Sequence, residues 1–382
     1  MKAGLRYWRF CAAVVVGAVV GAAYGQAPGV SAAAIRIGQS APLSGSNADL
    51  GNDIRNGALA YFAKVNEAGG VHGRRLELLS LDDANQVPRA EANTVTLVED
   101  ARVFALFGYA SATLSRPALP VVAKYGVPFL APFTGADPMR VFNPHVYNMR
   151  ASYADELEKI VEHFVPLGVK RFAIVYYDDV VGRENYTAVE RALKKRALEP
   201  VSTAALKDRA KPDIDAAVKA VAKGAPDVVI LTTLYKASAD FVKLARASDL
   251  YAQVASTSFP GASPLAKELG KEGAGVIVAT VVPPPTKRAL RVVQEYQAAI
   301  ERLLGKKEYS FTSFEAYIGA KVMVEALRRA GPRLTREAFM RELESLREFD
   351  TGGYILGFSP SQHNGSSFVE LTVIGKDLKF GY

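Results

Sequence analysis

The chain has 382 residues, 49% of them hydrophobic and 23% charged, with a formal charge of +8 and a single cysteine, Cys11. That length points to about two domains with ample core. The charges are spread along predicted helices (Lys194, Lys195, Arg196; Arg328, Arg329), as on a solvated face rather than a nucleic-acid surface. One cysteine excludes an intrachain disulfide, and its position near the N-terminus argues against thiolate catalysis in the fold.

Lys2, Arg6 and Arg9 precede the apolar run from Phe10 to Ala23, and Ala23-Tyr24-Gly25 offers small residues at the positions a signal peptidase reads. This is a secretory signal pattern, and the run is shorter than the ~20 apolar residues a spanning helix needs. Residues 1–25 are therefore expected to be cleaved, leaving a cysteine-free chain of charge +5 after loss of those three cations. Residues 26–34 read as a leader.

Strands and helices then alternate. Ile35–Gly38 reads as a strand. Gly51–Ala68 reads as an amphipathic helix, with Ile54, Ala58, Tyr61, Phe62 and Val65 on one face and Gly69-Gly70 at its end. Strands at Leu76–Leu81, Val103–Phe107 and Pro128–Leu130 alternate with helices at Pro88–Glu99 and Ser115–Tyr125. A second set starts near Arg150. It has a helix through Leu157, Ile160, Val161 and Phe164, and strands at Phe172–Tyr176, Val228–Leu231, Val254–Thr257 and Val276–Ala279. Its other helices carry Tyr186, Val189 and Leu193, then Ile214, Ala217, Val218 and Val221, then Phe241 and Leu244. Pro283-Pro284-Pro285 marks a stiff crossing, three helices follow (Arg288–Leu304, Phe314–Arg329, Arg336–Arg347), and Gly353–Phe380 reads as strand and turn. The fold class is α/β, with two doubly wound parallel-sheet lobes. In such sheets ligands bind beyond the carboxyl ends of the strands. That rule selects the loops 42–51, 82–85, 108–115, 131–137, 177–182, 232–236 and 256–261.

Those loops carry a resemblance. Ile35-Arg-Ile-Gly-Gln-Ser-Ala-Pro-Leu-Ser-Gly45 with Gly51 and Gly57, then Val65-Asn-Glu-Ala-Gly-Gly-Val-His-Gly-Arg74 and Asp82-Asp83, resemble the opening of type I periplasmic binding proteins of the leucine/isoleucine/valine-binding group. Phe349–Gly353 and Asn364-Gly365-Ser366 resemble its tail, so the likeness runs from Ile35 to Ile374. It implies two lobes joined by a three-crossover hinge: residues 35–149 with 282–346, and 150–281 with 347–382. It also implies a monomeric periplasmic protein without cofactor or metal that captures a small-molecule ligand and delivers it to an ABC permease.

The resemblance also assigns the cleft. Ser111, Ala112 and Thr113 open a helix, where free N–H groups and hydroxyls favour a carboxylate; capping alone would also explain the two hydroxyls. Ala112 stands where the group usually has serine. Phe133, Thr134 and Gly135 form the second half of that site. Val181 replaces an aromatic, Tyr235 is the next aromatic contact, and Leu50 and Tyr109 flank the cleft. Ser258 falls where a carboxylate would pair an α-ammonium group, so the expected ligand is a carboxylate without an amino group, aromatic or keto. Arg150 would meet an anionic ligand or brace the hinge with an ion pair. Asp82 and Asp83 are expected to buttress the cleft floor. His72, His145, His163 and His363 lack metal-ligand spacing. An enzyme on this fold would need a nucleophile elbow, a Walker loop or a dinucleotide fingerprint, and none is present in the sequence. The alternative is a sensory module that feeds a signalling partner.

Overall fold

The computed structural model describes residues 27–209 and 211–381. The expected signal segment and Cys11 lie outside them. The first sheet holds β1 (Ala34–Ala41), β2 (Arg75–Asp82), β3 (Ala105–Phe107), β4 (Phe129–Leu130) and β5 (Val146–Tyr147), in the order β2-β1-β3-β4-β5, all parallel. The second holds β6 (Phe172–Tyr177), β7 (Pro200–Leu206), β8 (Val228–Leu231), β9 (Gln253–Ser256) and β10 (Ile277–Thr280). β11 (Phe349–Asp350) and β12 (Ile355–Leu356) form a small hairpin of their own. β13 (Glu370–Ile374) and β14 (Phe380–Gly381) then close one edge of the second sheet antiparallel, giving the order β14-β13-β10-β9-β8-β6-β7.

Among the described residues, twelve helices of regular α type cover these sheets: α1 (Ala48–Glu67), α2 (Val87–Val95), α3 (Ser111–Ser115), α4 (Leu119–Tyr125), α5 (Tyr153–Phe164), α6 (Val180–Lys194), α7 (Ile214–Ala222), α8 (Tyr235–Ala247), α9 (Ala262–Leu269), α10 (Arg291–Leu304), α11 (Phe311–Arg329) and α12 (Arg336–Ser345). Central strands are buried on both faces, as β3 (Ala-Leu-Phe) and β8 (Val-Val-Ile-Leu) show, so they read as continuous apolar runs. α11 is buried nearly all round because it lies between α1 and the first sheet; a Cβ on its Gly319 would sit 3.2 Å from the Phe107 ring. α1 crosses α11 at Gly57, where a Cβ would come within 2.0 Å of the Ser313 carbonyl. The motif glycines of the opening segment thus have steric roles. Gly51 similarly faces the Pro42 carbonyl.

Three connections pass between the sheets, and they are tied together. Asn148 donates its N–H to the His363 carbonyl (2.8 Å), accepts from the Gly365 N–H (2.8 Å), and gives its side-chain amide to Asn364 Oδ1 (2.9 Å). The Tyr354 hydroxyl donates to the Val281 carbonyl at 3.2 Å and lies 2.9 Å from Ser366 Oγ. After the first crossing, Ser152 and Asp155 form a reciprocal capping box that fixes where α5 begins. The chain therefore folds as the expected pair of doubly wound lobes joined by three crossovers.

Several elements differ from the sequence expectation, β5 and α9 being additions to it. β7 was not predicted: Pro200-Val-Ser-Thr-Ala-Ala-Leu206 is an edge strand that buries mainly Ala204 and Leu206, so it lacks an apolar run. The helix expected from Ser115 instead starts at Ser111 and carries a 3₁₀ turn over Arg116–Ala118 before α4.

Candidate functional site

The loops after β3 and β4 are laced by their backbones. The Ser111 N–H donates to the Phe133 carbonyl (3.1 Å) and the Phe133 N–H to the Tyr109 carbonyl (2.8 Å). Ser111 has a positive φ of 64°, a conformation uncommon outside glycine and worth notice beside a binding loop. That φ is not helical, so Ser111 itself stands at the N-cap position, where a hydroxyl can accept from the residue three ahead. Ser111 Oγ reaches only the Leu114 N–H, at 3.4 Å, so the N–H groups of Ala112 and Thr113 receive no side-chain cap.

Ala112, Tyr153 and Phe259 belong to one apolar cluster, against which Val181 and Leu234 of the second lobe pack. Tyr153 meets Phe259 edge-on at 5.7 Å, and its hydroxyl accepts from Thr134 Oγ1 at 3.5 Å. Thr134 is 1% exposed and also accepts from the Ala136 N–H. Gly135 is pressed against the first crossover: its carbonyl takes the Tyr153 N–H at 2.9 Å, and a Cβ would stand 2.8 Å from that nitrogen. Leu50 and Phe133 share a smaller cluster with Ala110 and Leu114. Tyr235 is buried at the start of α8; burial raises its pKa, and the charges of Asp49 and Glu268 add to this. It therefore stands across the cleft from the start of α1. Lys267 of α9 and Asp49 of α1 form a cross-lobe ion pair at 3.6 Å, beside a groove of about 510 Å³ floored by Ser310 and Ser313.

Two expected site residues turn their side chains away from the others. Tyr109 is 0% exposed, packs edge-on against Phe129 at 5.0 Å, and has its hydroxyl 3.1 Å from Thr94 Oγ1. Its ring lies in the core behind the loop, because alternation along the extended segment turns it away from the cleft. Thr113 is exposed on the outer side of the helix start. Asp82 and Asp83 do buttress the floor. Asp82 Oδ1 accepts from the N–H groups of Leu43 and Ala84, and Asp83 Oδ2 accepts from Ser40 Oγ at 2.9 Å.

The polar heart of the cleft is a chain of four residues from four elements. Arg150 Nε lies 3.0 Å from Glu315 Oε1 in ionic contact, and its Nη2 donates to Glu315 Oε2 at 3.1 Å and to Ser258 Oγ at 3.1 Å. Its guanidinium stands over the Phe133 ring at 5.3 Å. Ser258 in turn donates its N–H to Glu156 Oε2 (2.6 Å) and its hydroxyl to Glu156 Oε1 (2.7 Å). Burial pushes the Glu156 carboxyl up to about 7, against the pull of Arg150 and the two Ser258 bonds; burial also raises Glu315. Arg150 thus does brace the hinge. Ser258 is uncharged, but the sequence reading of a missing carboxylate needs correcting, since Glu156 lies directly behind it. Glu156 and Glu315 carry no sequence signal for this role: they sit in apolar helix faces, and only the fold brings them to one arginine.

This architecture, with strand-end loops of two lobes converging on a hinged cleft, defines a bilobal solute-binding protein. Residues 34–377 match the family model described as periplasmic binding protein, and the chain belongs to that family. Leu/Ile/Val-binding protein homolog 7 of Brucella abortus is 26% identical over 322 residues, covering 80% of this chain and 79% of that protein. A substrate-binding periplasmic protein from Ralstonia solanacearum superposes with a TM-score of 0.85 at 31% identity, covering 91% of this chain and 99% of that one. A possible leucine/isoleucine/valine-binding protein from Rhodopirellula baltica gives 0.86 at 27%, covering 92% and 97%.

Proposed function

We propose that this chain captures a small carboxylate-bearing solute in the periplasm and delivers it to an ABC permease, without chemistry of its own. The lobes that close are residues 35–149 with 282–346 and residues 150–281 with 347–382. The observation that carries the reading is the helix start at Ser111, Ala112 and Thr113, where the N–H groups of Ala112 and Thr113 have no side-chain acceptor, laced to the loop of Phe133, Thr134 and Gly135 and facing the second lobe. N–H groups without a side-chain acceptor suit a carboxylate, and the aromatic rings of Phe133, Tyr153, Phe259 and Tyr235 suit an apolar body. Val181 and Ser258 supply contacts from the second lobe, and Leu50 and Tyr235 border the α1 side. The names of the relatives, which include Leu/Ile/Val-binding proteins, agree with a carboxylate ligand. Closure is a population shift: a ligand that touches both lobes only when they are closed stabilises that state by its differential contacts.

A thermal-shift screen of small carboxylates against their amides and methyl esters tests this. Carboxylates should raise the melting temperature and their uncharged derivatives should not. Equal shifts from acid and amide would overturn the carboxylate assignment.

A further inference from the structure

We infer that Glu156 and Ser258 form a proton-controlled selector in the cleft, which favours a ligand carrying an acceptor oxygen next to its carboxylate, such as a 2-oxo acid, over the matching α-amino acid. The inference rests on the reading that the ligand carboxylate sits at the loop of Ser111, Ala112 and Thr113.

A serine hydroxyl has one hydrogen to donate and two lone pairs. In the observed arrangement the Ser258 hydrogen is spent on Glu156 Oε1 (2.7 Å), and one lone pair takes the Arg150 Nη2 hydrogen (3.1 Å). The remaining lone pair is all that Ser258 Oγ can offer the cleft. A ligand ammonium on that lone pair would meet the guanidinium bound to the same oxygen. A proton on Glu156 Oε1 reverses the bond: the carboxylic acid donates to Ser258 Oγ, and the serine hydrogen turns outward to an oxygen of the ligand. The Ser258 N–H to Glu156 Oε2 (2.6 Å) holds the pair in register in either state.

Charge balance favours the protonated state once the ligand is in place. The groups facing Glu156 are Arg150 from the first crossover, Glu315 from α11, Tyr153 from its own helix and Arg140 from the loop before β5. Arg140 is partly buried and its Nη1 donates to the Arg150 carbonyl at 2.7 Å. The guanidinium of Arg150 pairs with Glu315, 5% exposed, and acts on Glu156, 0% exposed, from the far side of Ser258. Closing the cleft over a third carboxylate, that of the ligand, strengthens their mutual repulsion as water leaves. A proton on Glu156 removes one of the three charges. Burial already pushes its carboxyl up to about 7, so the proton is available near neutral pH.

The test is isothermal titration calorimetry of the whole exported chain at pH about 7.5, in phosphate and in Tris. The probes are phenylpyruvate against phenylalanine and 4-methyl-2-oxopentanoate against leucine, with phenylpropanoate and 4-methylpentanoate as carboxylates lacking the α-substituent. The expected result is that the oxo acid of at least one pair binds about tenfold tighter than its amino acid or more. Its apparent enthalpy should differ between buffers by the amount that marks proton uptake, and Glu156→Gln should abolish that difference. Ser258→Ala, which keeps the fold if Glu156→Gln does not, should remove the oxo preference. Tighter binding of the amino acid, proton uptake unchanged in Glu156→Gln, or no buffer dependence would overturn the inference. So would equal binding of oxo acids and unsubstituted acids, although that outcome leaves the carboxylate reading standing. Failure of all six probes would overturn both.

Discussion

Arg150→Met is the sharpest single perturbation of the hinge. The Arg150 and Glu315 side chains are 5% and 6% exposed and 3.0 Å apart. Methionine keeps most of the stem but leaves the Glu315 carboxylate without its partner. Losing one partner of a buried pair costs about 3–5 kcal/mol, whereas an exposed pair contributes roughly 0–1 kcal/mol. The other surface pairs, such as Lys219 with Asp215 at 72% and 64% exposure, belong to the second class. Stability should therefore fall by about 3 kcal/mol or more, read from urea unfolding by far-UV circular dichroism, because the single tryptophan, Trp8, belongs to the segment expected to be cleaved. Adding Glu315→Leu to Arg150→Met should recover much of the loss, since it removes the orphaned charge. A loss below about 1 kcal/mol in the single variant, or no recovery in the double, would refute the reasoning.

Three further outcomes follow from the same contacts. Glu156 titrates at about 7 against an ordinary 4.5, so the folded state holds its proton longer than the unfolded one. Its contribution is complete below about pH 4.5 and is lost as pH rises through about 7, a span of at most roughly 3 kcal/mol. Asp53 and Asp83, each raised to about 6 by burial, act in the same direction; the difference between wild type and Glu156→Gln in unfolding at several pH values isolates the Glu156 part, and parallel curves would refute it. Thr134→Ala and Tyr235→Ala should each weaken the tightest carboxylate of the thermal-shift screen by up to about tenfold, near 0.5–1.5 kcal/mol, without unfolding the protein; unchanged affinity in both, by calorimetry, would tell against the cleft assignment. Gly57→Ala should cost about 1–3 kcal/mol, because its Cβ would fall 2.0 Å from the Ser313 carbonyl and α1 must move off α11; an unchanged denaturation midpoint would show that this crossing yields easily.

The lobes were legible because buried parallel strands announce themselves as apolar runs. Phe172–Tyr177 and Val228–Leu231 could be placed almost to the residue. β7 was not legible, since an edge strand pairs through its backbone and needs few apolar side chains. The strand-end rule located the loops of Ser111 and Phe133, but not which way each side chain turns: Tyr109 reads as a cleft aromatic and packs into the core. The charge chain was the least legible part. Arg150 and Glu315 are 165 residues apart, and Ser258 and Glu156 are 102. Read along the chain, Ser258 looks like a charge lost; in the fold, the Glu156 carboxylate lies behind it.

The central claim is that the cleft holds a carboxylate between the two lobes. Mass spectrometry of what co-purifies with the periplasmic protein tests it most directly, under native conditions and after denaturation. The account predicts one small carboxylic acid bound to each chain, and its loss from a Thr134→Ala and Tyr235→Ala double variant. A tightly bound compound without a carboxylate, or one retained unchanged by that variant, would contradict it.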